Sequence, residues 1–251
     1  MRVFAVVIRI FALALLSAAR FAQEYPRWCL DQGEIPGGGI AVGITATPYY
    51  PDSTGGQGLL LAAENAARYR ALTVSGRMAY ITSEAGTCVV ASTVKESFDT
   101  SLVERVANSM KLRASYSIGG LMLVLAGPSQ CDVPEQFLRT VRVDRSDLPS
   151  WISTLPPDDD MSYAVGISEP YYYEQSSWYE AEKNARLELA RMSHSRMFGV
   201  GYLQRYDSGI SIGSDIREED LGATMLHDVR VLRRWRNPST RLFYVLLGMP
   251  R

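Results

Sequence analysis

A short signature that occurs twice constrains the fold more than any other feature of the sequence. Ala41-Val42-Gly43-Ile44 recurs as Ala164-Val165-Gly166-Ile167, 123 residues later. The pattern Pro-x-Trp precedes both copies, at 26–28 and 149–151, with the same offset of 123. Two features held at one spacing indicate that a single folding unit has been duplicated in tandem.

An alanine-rich segment follows each signature and predicts an amphipathic helix, over about 58–75 in the first copy and 176–192 in the second. Its apolar positions recur at steps of three and four, which places them on one helical face. The alignment of the two helices has an offset of 118 and therefore requires a longer loop in the first copy, where 51–56 has turn-forming composition. The aligned positions are Leu60, Ala63, Ala67, Ala71 and Val74, and then Trp178, Ala181, Ala185, Leu189 and Met192.

The remaining segments predict an α+β fold in each copy. Runs rich in Val, Thr, Ile and Tyr predict strands, and Ser101-x-x-Glu104 predicts the capped start of a helix. The predicted order is strand, helix, two strands, helix and a closing hairpin. Besides the two long helices, the elements are strands 40–45, 77–83, 87–95, 111–116 and 121–125 with helix 101–110, and strands 163–168, 197–205, 209–212, 229–236 and 241–247 with helix 216–227.

The length of 251 residues suits two units of about 100 residues better than one large core. We expect the units to span 20–139 and 140–251, each with helices packed on an antiparallel sheet. A polar connection that contains several prolines, over 128–160, joins them.

Residues 1–19 are typical of a secretory signal peptide. Arg2 and Arg9 flank the start, an apolar run covers 10–16, and small residues lead to Ala19. We expect cleavage after Ala19 and a location in the periplasm or at the periphery of the outer membrane. An uncleaved anchor is the alternative, although the apolar run is shorter than the roughly 20 residues of a bilayer span.

The three cysteines leave one unpaired in an exported chain. A disulfide between Cys88 and Cys131 would contribute about 2–4 kcal/mol, but Cys29 could join either of them. Three buried reduced thiols are the remaining alternative. Because Cys29 lies well beyond the apolar run and follows bulky residues, we expect no lipid attachment and only indirect membrane association.

Charge and motifs favour neither nucleic-acid binding nor catalysis. The 26 basic and 27 acidic residues give a net charge of −1, which supplies no field to attract nucleic acid. His194 and His227 lack partners at metal-ligand spacing, so we expect no metal, no cofactor and no enzymatic activity. The acidic run 218–220 is expected in the first turn of a helix, where it would favour the helix dipole.

Arg233, Arg234 and Arg236 surround Trp235 on a predicted strand. Because side chains alternate along a strand, we expect Trp235 to pack inward while Arg234 and Arg236 stay solvated.

Tyrosine runs follow the same strand in both copies, Tyr49-Tyr50 in the first and Tyr171-Tyr172-Tyr173 in the second. Tyrosine is enriched at protein interfaces, so these residues are the candidate contact with a partner protein or with the other repeat. Packing over the start of the following helix is the alternative.

The ordered set of motifs resembles the bacterial lipoprotein-20-like family, well over 149–250 and more weakly over 26–128. The resemblance implies a small α+β domain without a recognised catalytic site. Its members include outer-membrane lipoproteins and periplasmic flagellar-assembly proteins, although this chain lacks the acylated cysteine. The residues that carry it are Pro149, Trp151, Ile152, Pro156, Pro157, 163–167, Ala181, Ala185, Arg186, Leu189, Ala190, Arg233, Trp235 and 244–246.

The resemblance implies an exported, non-enzymatic envelope protein. Its expected role is structural, in the assembly of an outer-membrane or surface complex such as a flagellar one. The expected partners are envelope proteins or further copies of the chain. The alternative is a periplasmic binding module that holds a small ligand or glycan in the groove between the two units.

Overall fold

The computed structural model describes residues 23–47, 54–83, 86–143, 147–194, 196–207 and 210–251. Helices and antiparallel strands make up this part of the chain, so the predicted α+β class is confirmed. The strands are β1 (Gln23–Pro26), β2 (Ala41–Ala46), β3 (Ala71–Ser83), β4 (Gly86–Ser92), β5 (Lys95–Ser97), β6 (Met110–Ile118), β7 (Leu121–Pro128), β8 (Thr140–Val143), β9 (Met161–Ser168), β10 (Arg196–Asp207), β11 (Ile210–His227), β12 (Arg230–Arg236) and β13 (Phe243–Pro250). The helices are α1 (Arg27–Leu30), α2 (Thr54–Arg70), α3 (Ser101–Ser109), α4 (Glu135–Leu138), α5 (Ser150–Ser153) and α6 (Glu174–His194), with a 3-10 turn at Gln32–Glu34.

Two three-stranded antiparallel sheets have the same strand order. One is β2-β7-β6 and the other is β9-β13-β12. In each sheet the signature strand, β2 or β9, lies at an edge and pairs with the last strand of the closing hairpin. The long helices α2 and α6 pack over β2 and β9, respectively. This shared order is what a duplicated unit would produce, while the duplication itself stays a prediction.

The glycine of the second signature brings α6 against its sheet. A Cβ added at Gly166 would overlap the backbone O of Ala181 and the backbone N of Ala185. Ala181 and Ala185 are themselves completely buried. Only glycine in the strand and small residues in the helix permit this approach of the two backbones.

The first copy makes the same contact five residues earlier in its helix than the sequence alignment predicts. A Cβ at Gly43 would overlap the backbone O of Gly58 and lie 2.9 Å from the backbone N of Ala62. The alignment places Ala63 and Ala67 at these positions and is wrong. The contact residues keep an offset of 123 in the helix as well as in the strand. The five additional loop residues predicted for the first copy are therefore not required.

A further sheet takes strands from both halves of the chain. Its order is β10-β11-β3-β4, and β5 also pairs with β3. The pairing of β3 with β11 runs from Ala71 opposite His227 to Thr82 opposite Asp215. β1 and β8 form a small sheet of their own, and the main core cluster also combines side chains of both halves. The predicted boundary near residue 140 therefore does not coincide with a break in the core.

The predicted helix 216–227 is wrong, because this segment is the second part of β11. A bulge next to Gly222, which has a φ of 59°, shifts the alternation of side chains by one residue. The shift interrupts the period of two by which a strand is identified in a sequence. The buried residues are Glu219, Leu221, Thr224 and Leu226.

Two smaller predictions also fail at helix ends. α2 ends at Arg70, so Ala71 and Val74 belong to β3 and not to the predicted helical face. α3 begins at Ser101 as predicted, but the expected capping box is absent from it. Instead, the carboxylate of Asp99 accepts hydrogen bonds from the backbone N of Ser101 at 2.9 Å and from its hydroxyl at 2.6 Å.

The contact between α6 and β9 predicts that Gly166→Ala destabilises the protein by about 2 kcal/mol or more, because the added methyl group forces the helix off the sheet. Gly56→Ala is the control, since a Cβ at Gly56 in α2 has no atom within 4 Å. That change should stabilise the protein by up to about 1 kcal/mol through higher helix propensity. Urea denaturation measures both free energies, and equal effects of the two substitutions would contradict the proposed contact.

Candidate functional site

The predicted tyrosine run of the second half is exposed to solvent. The exposed fractions of Tyr171, Tyr172 and Tyr173 are 54%, 93% and 58%. The rings of Tyr172 and Tyr173 meet edge to face, with 4.8 Å between their centroids. We call these three residues the tyrosine surface. Their exposure favours the predicted contact role over the alternative of packing on the helix.

Hydrogen bonds fix the backbone of the tyrosine surface, while its side chains are exposed to solvent. The backbone N of Tyr171 donates to the hydroxyl of Ser177 at 2.8 Å. The backbone N of Ser176 donates to the carbonyl of Tyr173 at 3.0 Å. A fixed loop with outward aromatic rings loses little conformational entropy when it binds. The predicted counterparts Tyr49 and Tyr50 lie outside the described residues.

A buried cluster of charges lies where the two halves meet, and Glu182 of α6 is at its centre. The hydroxyl of Tyr69, in α2, donates to one carboxylate oxygen of Glu182. Arg234, in β12, donates to the other from Nε at 3.1 Å and Nη2 at 2.7 Å. Arg186, one turn along α6, binds Glu96 through two hydrogen bonds of 2.8 and 3.0 Å. We call these five residues the central cluster.

The second amino group of Arg234 connects the central cluster to the N-terminal segment. Its Nη1 donates to the side-chain oxygen of Gln32 at 2.9 Å and to the carbonyl of Cys29 at 3.1 Å. Arg234 is buried, so the prediction that it stays solvated is wrong. Arg236 is also partly buried and binds Glu174 at 3.3 Å. The sequence predicted that side chains alternate along β12. It gave no local sign that Glu182 would bind Arg234 in the interior.

The charges of the central cluster compensate one another. Burial raises the pKa of Glu182, but the positive charges of Arg234 and Arg186 and the hydrogen bond from Tyr69 outweigh it, so the pKa lies below its usual range. Burial and the neighbouring charge of Glu182 raise the pKa of Tyr69. Glu182 therefore stays ionised and Tyr69 stays a donor at neutral pH. Such an arrangement fixes the halves relative to each other.

The acidic run 218–220 lies in a strand and not at a helix start, as described above. Glu219 is buried. It accepts hydrogen bonds from the hydroxyl of Tyr80 at 2.7 Å and from Nε of Arg191 at 2.9 and 3.0 Å. Its carboxylate thus joins α6 to the sheet shared by both halves.

The described cysteines are free thiols. Cys29 and Cys131 are both buried and unpaired. Cys131 is therefore not joined to Cys88, which was one of the alternatives that the sequence left open. Burial raises the pKa of the Cys29 thiol to about 11, which keeps it protonated and unreactive at neutral pH.

A pocket of about 450 Å³ lies between the two halves. Its walls are mainly apolar and come from the glycine-rich segment before β2, from α2 and α3, and from the start of β12. Arg70, Asp228 and Arg230 are its charged residues. The residues that line its apolar part include Ile35, Ile40, Ala66, Val106, Met110 and Val231.

Within the described residues, no group of three or more His, Cys, Asp or Glu side chains is arranged to hold a metal ion. His227 lies exposed on β11, and the side chain of His194 lies outside the described part. No described helix is both long and apolar enough to cross a bilayer.

Comparison with known proteins finds no relative. No family model matches the chain, and neither a curated protein nor a solved structure does so.

The central cluster predicts that Glu182→Gln costs about 3–5 kcal/mol of unfolding free energy, because it leaves buried Arg234 without a counter-charge. Glu135→Gln is the matched control, since it removes an ion pair with Arg139 in which both side chains are exposed, and it should cost less than about 1 kcal/mol.

The same cluster predicts the pH dependence. Since the folded-state pKa of Glu182 lies below its unfolded value of about 4.3, its stabilisation is present above that value. It is lost as the pH falls through the folded-state pKa. Urea denaturation between neutral pH and about pH 3 should show a shallower acid loss in Glu182→Gln; parallel curves for both proteins would speak against the assignment.

Proposed function

We propose that this chain is an exported, non-enzymatic protein of the bacterial envelope, which assists the assembly of an outer-membrane or surface complex through protein–protein contacts. The tyrosine surface is the observation that carries this proposal. The partners are other envelope proteins or further copies of the chain, and membrane association is indirect.

Three neighbouring tyrosines supply the chemistry of a contact surface. Their rings offer large apolar area, and each hydroxyl can find a hydrogen-bond partner at the edge of an interface. Aromatic residues of this kind provide much of the binding energy where they become buried. The edge-to-face pair of Tyr172 and Tyr173 keeps two of the rings together, ready for one binding partner.

Two further features support the placement in the envelope. Residues 1–19 have the composition of a signal peptide. The two sheets with the same strand order are compatible with two lipoprotein-20-like units, and the central cluster would hold these units in one orientation. A fixed orientation suits a scaffold whose outer faces make the contacts.

The tyrosine surface predicts that Tyr172→Ser combined with Tyr173→Ser weakens association at least about tenfold, because both aromatic anchors are lost. The melting temperature should not change, since both side chains are exposed. Leu60→Ser is the control, because Leu60 is an exposed apolar residue of α2.

Sedimentation velocity measures self-association in this comparison. Crosslinking with mass spectrometry on the envelope fraction measures contacts with other proteins. Unchanged self-association together with unchanged crosslinks in the double variant would refute the role of the tyrosine surface.

A second candidate function is a binding module for a small ligand or glycan, and the pocket between the halves favours it. Its volume of about 450 Å³ lies in the range of small-molecule sites, which combine apolar walls with a few polar groups. Arg70, Asp228 and Arg230 would orient the ligand.

This second function predicts that at least one member of a panel of mono- and disaccharides raises the melting temperature, since a ligand that binds only the folded state stabilises it. Ala66→Phe should abolish the shift because it fills part of the pocket, whereas Leu60→Ser should preserve it. A panel without any shift would argue against the ligand role.

A further inference from the structure

The outer edge of β9 is open to another strand. β9 pairs with β13 on one side, and no strand of the described chain pairs with its other side. Edge strands are commonly protected by charged residues or proline. The segment Met161–Ser168 contains neither, so β9 lacks these protections.

The hydrogen bond made by Asn184 shows which backbone groups face this edge. The side-chain amide of Asn184, in α6, donates to the carbonyl of Ile167 at 2.8 Å. Because the donor comes from the helix and not from β13, the carbonyl of Ile167 points to the open side. Alternate residues of a strand direct their polar groups to the same side, so Val165 and Tyr163 also present theirs there.

A groove of about 350 Å³ follows the end of this edge. The stretch from Ile167 to Tyr171 forms one wall, and Glu180 and Asn184 of α6 form the other. Ile167 and Tyr171 have exposed fractions of 46% and 54%, so they supply exposed apolar side chains at this edge.

The charged groups at the groove are mainly acidic. Glu169 is exposed and lines the groove together with Glu180. Lys183 binds Glu180 at 3.1 Å, which leaves the charge of Glu169 for a ligand. Exposed apolar side chains next to these carboxylates are complementary to a segment that combines apolar and basic residues.

An antiparallel second copy of β9 does not fit this edge. Paired strands lie about 4.8 Å apart, and α6 passes directly over β9 at Gly166. Pairing around this point would bring two copies of α6 closer than the roughly 8–10 Å that packed helices need. The occupant must therefore be a segment without a helix on this face.

We propose that the open edge of β9 binds an extended segment of a partner protein, in which apolar and basic residues alternate, by addition of a strand. The backbone groups of Tyr163 and Val165 and the backbone N of Ile167 pair with the segment, since the carbonyl of Ile167 already accepts from Asn184. Alternate side chains of the segment enter the groove beside α6. This mode of recognition takes affinity from main-chain hydrogen bonds and specificity from side-chain pockets. The inference rests on the proposed role in protein–protein contacts and assigns the partner's conformation.

The first signature strand provides a contrast. β2 also lies at an edge, and Asn65 donates to the carbonyl of Val42 at 2.9 Å. Val42 is buried, and β2 has no large apolar side chain among the exposed ones in the described part. The binding surface is thus specific to β9.

The probe is a blocked peptide of about six alternating Val and Lys residues, a usual strand length. Chemical shifts of backbone amides in the full-length protein should change at Tyr163, Val165 and Ile167 and at the side-chain amide of Asn184. A control peptide with N-methyl groups on alternate amides keeps the charge but cannot pair with a strand, and it should not bind.

Two protein variants accompany the peptides. Ile167→Lys should weaken peptide binding at least tenfold, because it repels the lysines and removes an apolar contact. Val89→Lys is the matched control, since Val89 is an exposed apolar residue on β4, another edge strand, and it should leave binding unchanged. Melting temperatures should match that of the parent protein.

The proposal is overturned if the peptide does not bind at about 1 mM, if the methylated peptide binds equally well, or if Ile167→Lys binds like Val89→Lys. None of these results contradicts the proposed role of the tyrosine surface, as long as the variant with both Tyr172→Ser and Tyr173→Ser still loses its association. Loss of association in Ile167→Lys, without peptide binding to the parent protein, would instead assign the edge to a second copy of the chain, in an arrangement other than antiparallel pairing of two β9 strands.

Discussion

The buried carboxylate of Glu182 sets the relation between the two halves of the molecule. It accepts hydrogen bonds from Tyr69 of the first half and from Arg234 of the second. A shift of one half against the other would therefore leave a buried charge without its partner. Apolar contacts alone would permit sliding between such surfaces, whereas charged hydrogen bonds require one geometry. The N-terminal segment is included through Gln32 and Cys29. The outer surfaces consequently keep a constant arrangement.

The sequence predicted the parts of the fold that depend on local patterns. The signature strands, the alanine-rich helices and the closing hairpins were found because their apolar periods are regular and their turns contain glycine or Asn-Pro. β11 was missed because the bulge at Gly222 changes its period. The helix alignment failed for a related reason: several small residues in α2 could face the strand, and only the close approach of Gly43 identifies Gly58 and Ala62.

The candidate sites divide in the same way. The position of the tyrosine surface was predicted, but the sequence left open whether its rings would be exposed or packed over the start of the following helix, and the structure shows them exposed. The central cluster could not be predicted, because its members are far apart in the chain and each looks like an ordinary surface residue in its own segment. Arg186 was noted only as part of a family motif, yet it is completely buried and binds Glu96 of the other half. A long-range charge partner leaves no trace in a local pattern.

The strand pairing of β3 with β11 has a consequence for how the protein reaches its native state. Thr82 and Asp215 are neighbours in the sheet but 133 residues apart in the chain. During synthesis, β3 is therefore complete long before β11, the strand that pairs with it, has been made. Pairing between strands so far apart in the chain slows folding, because the entropy of closing a large loop is lost before the stabilising contacts form. Until β11 has been synthesised, this edge of β3 is unpaired and can associate with other exposed strands. Chaperones that hold incompletely folded chains would be of most use to the protein in that interval.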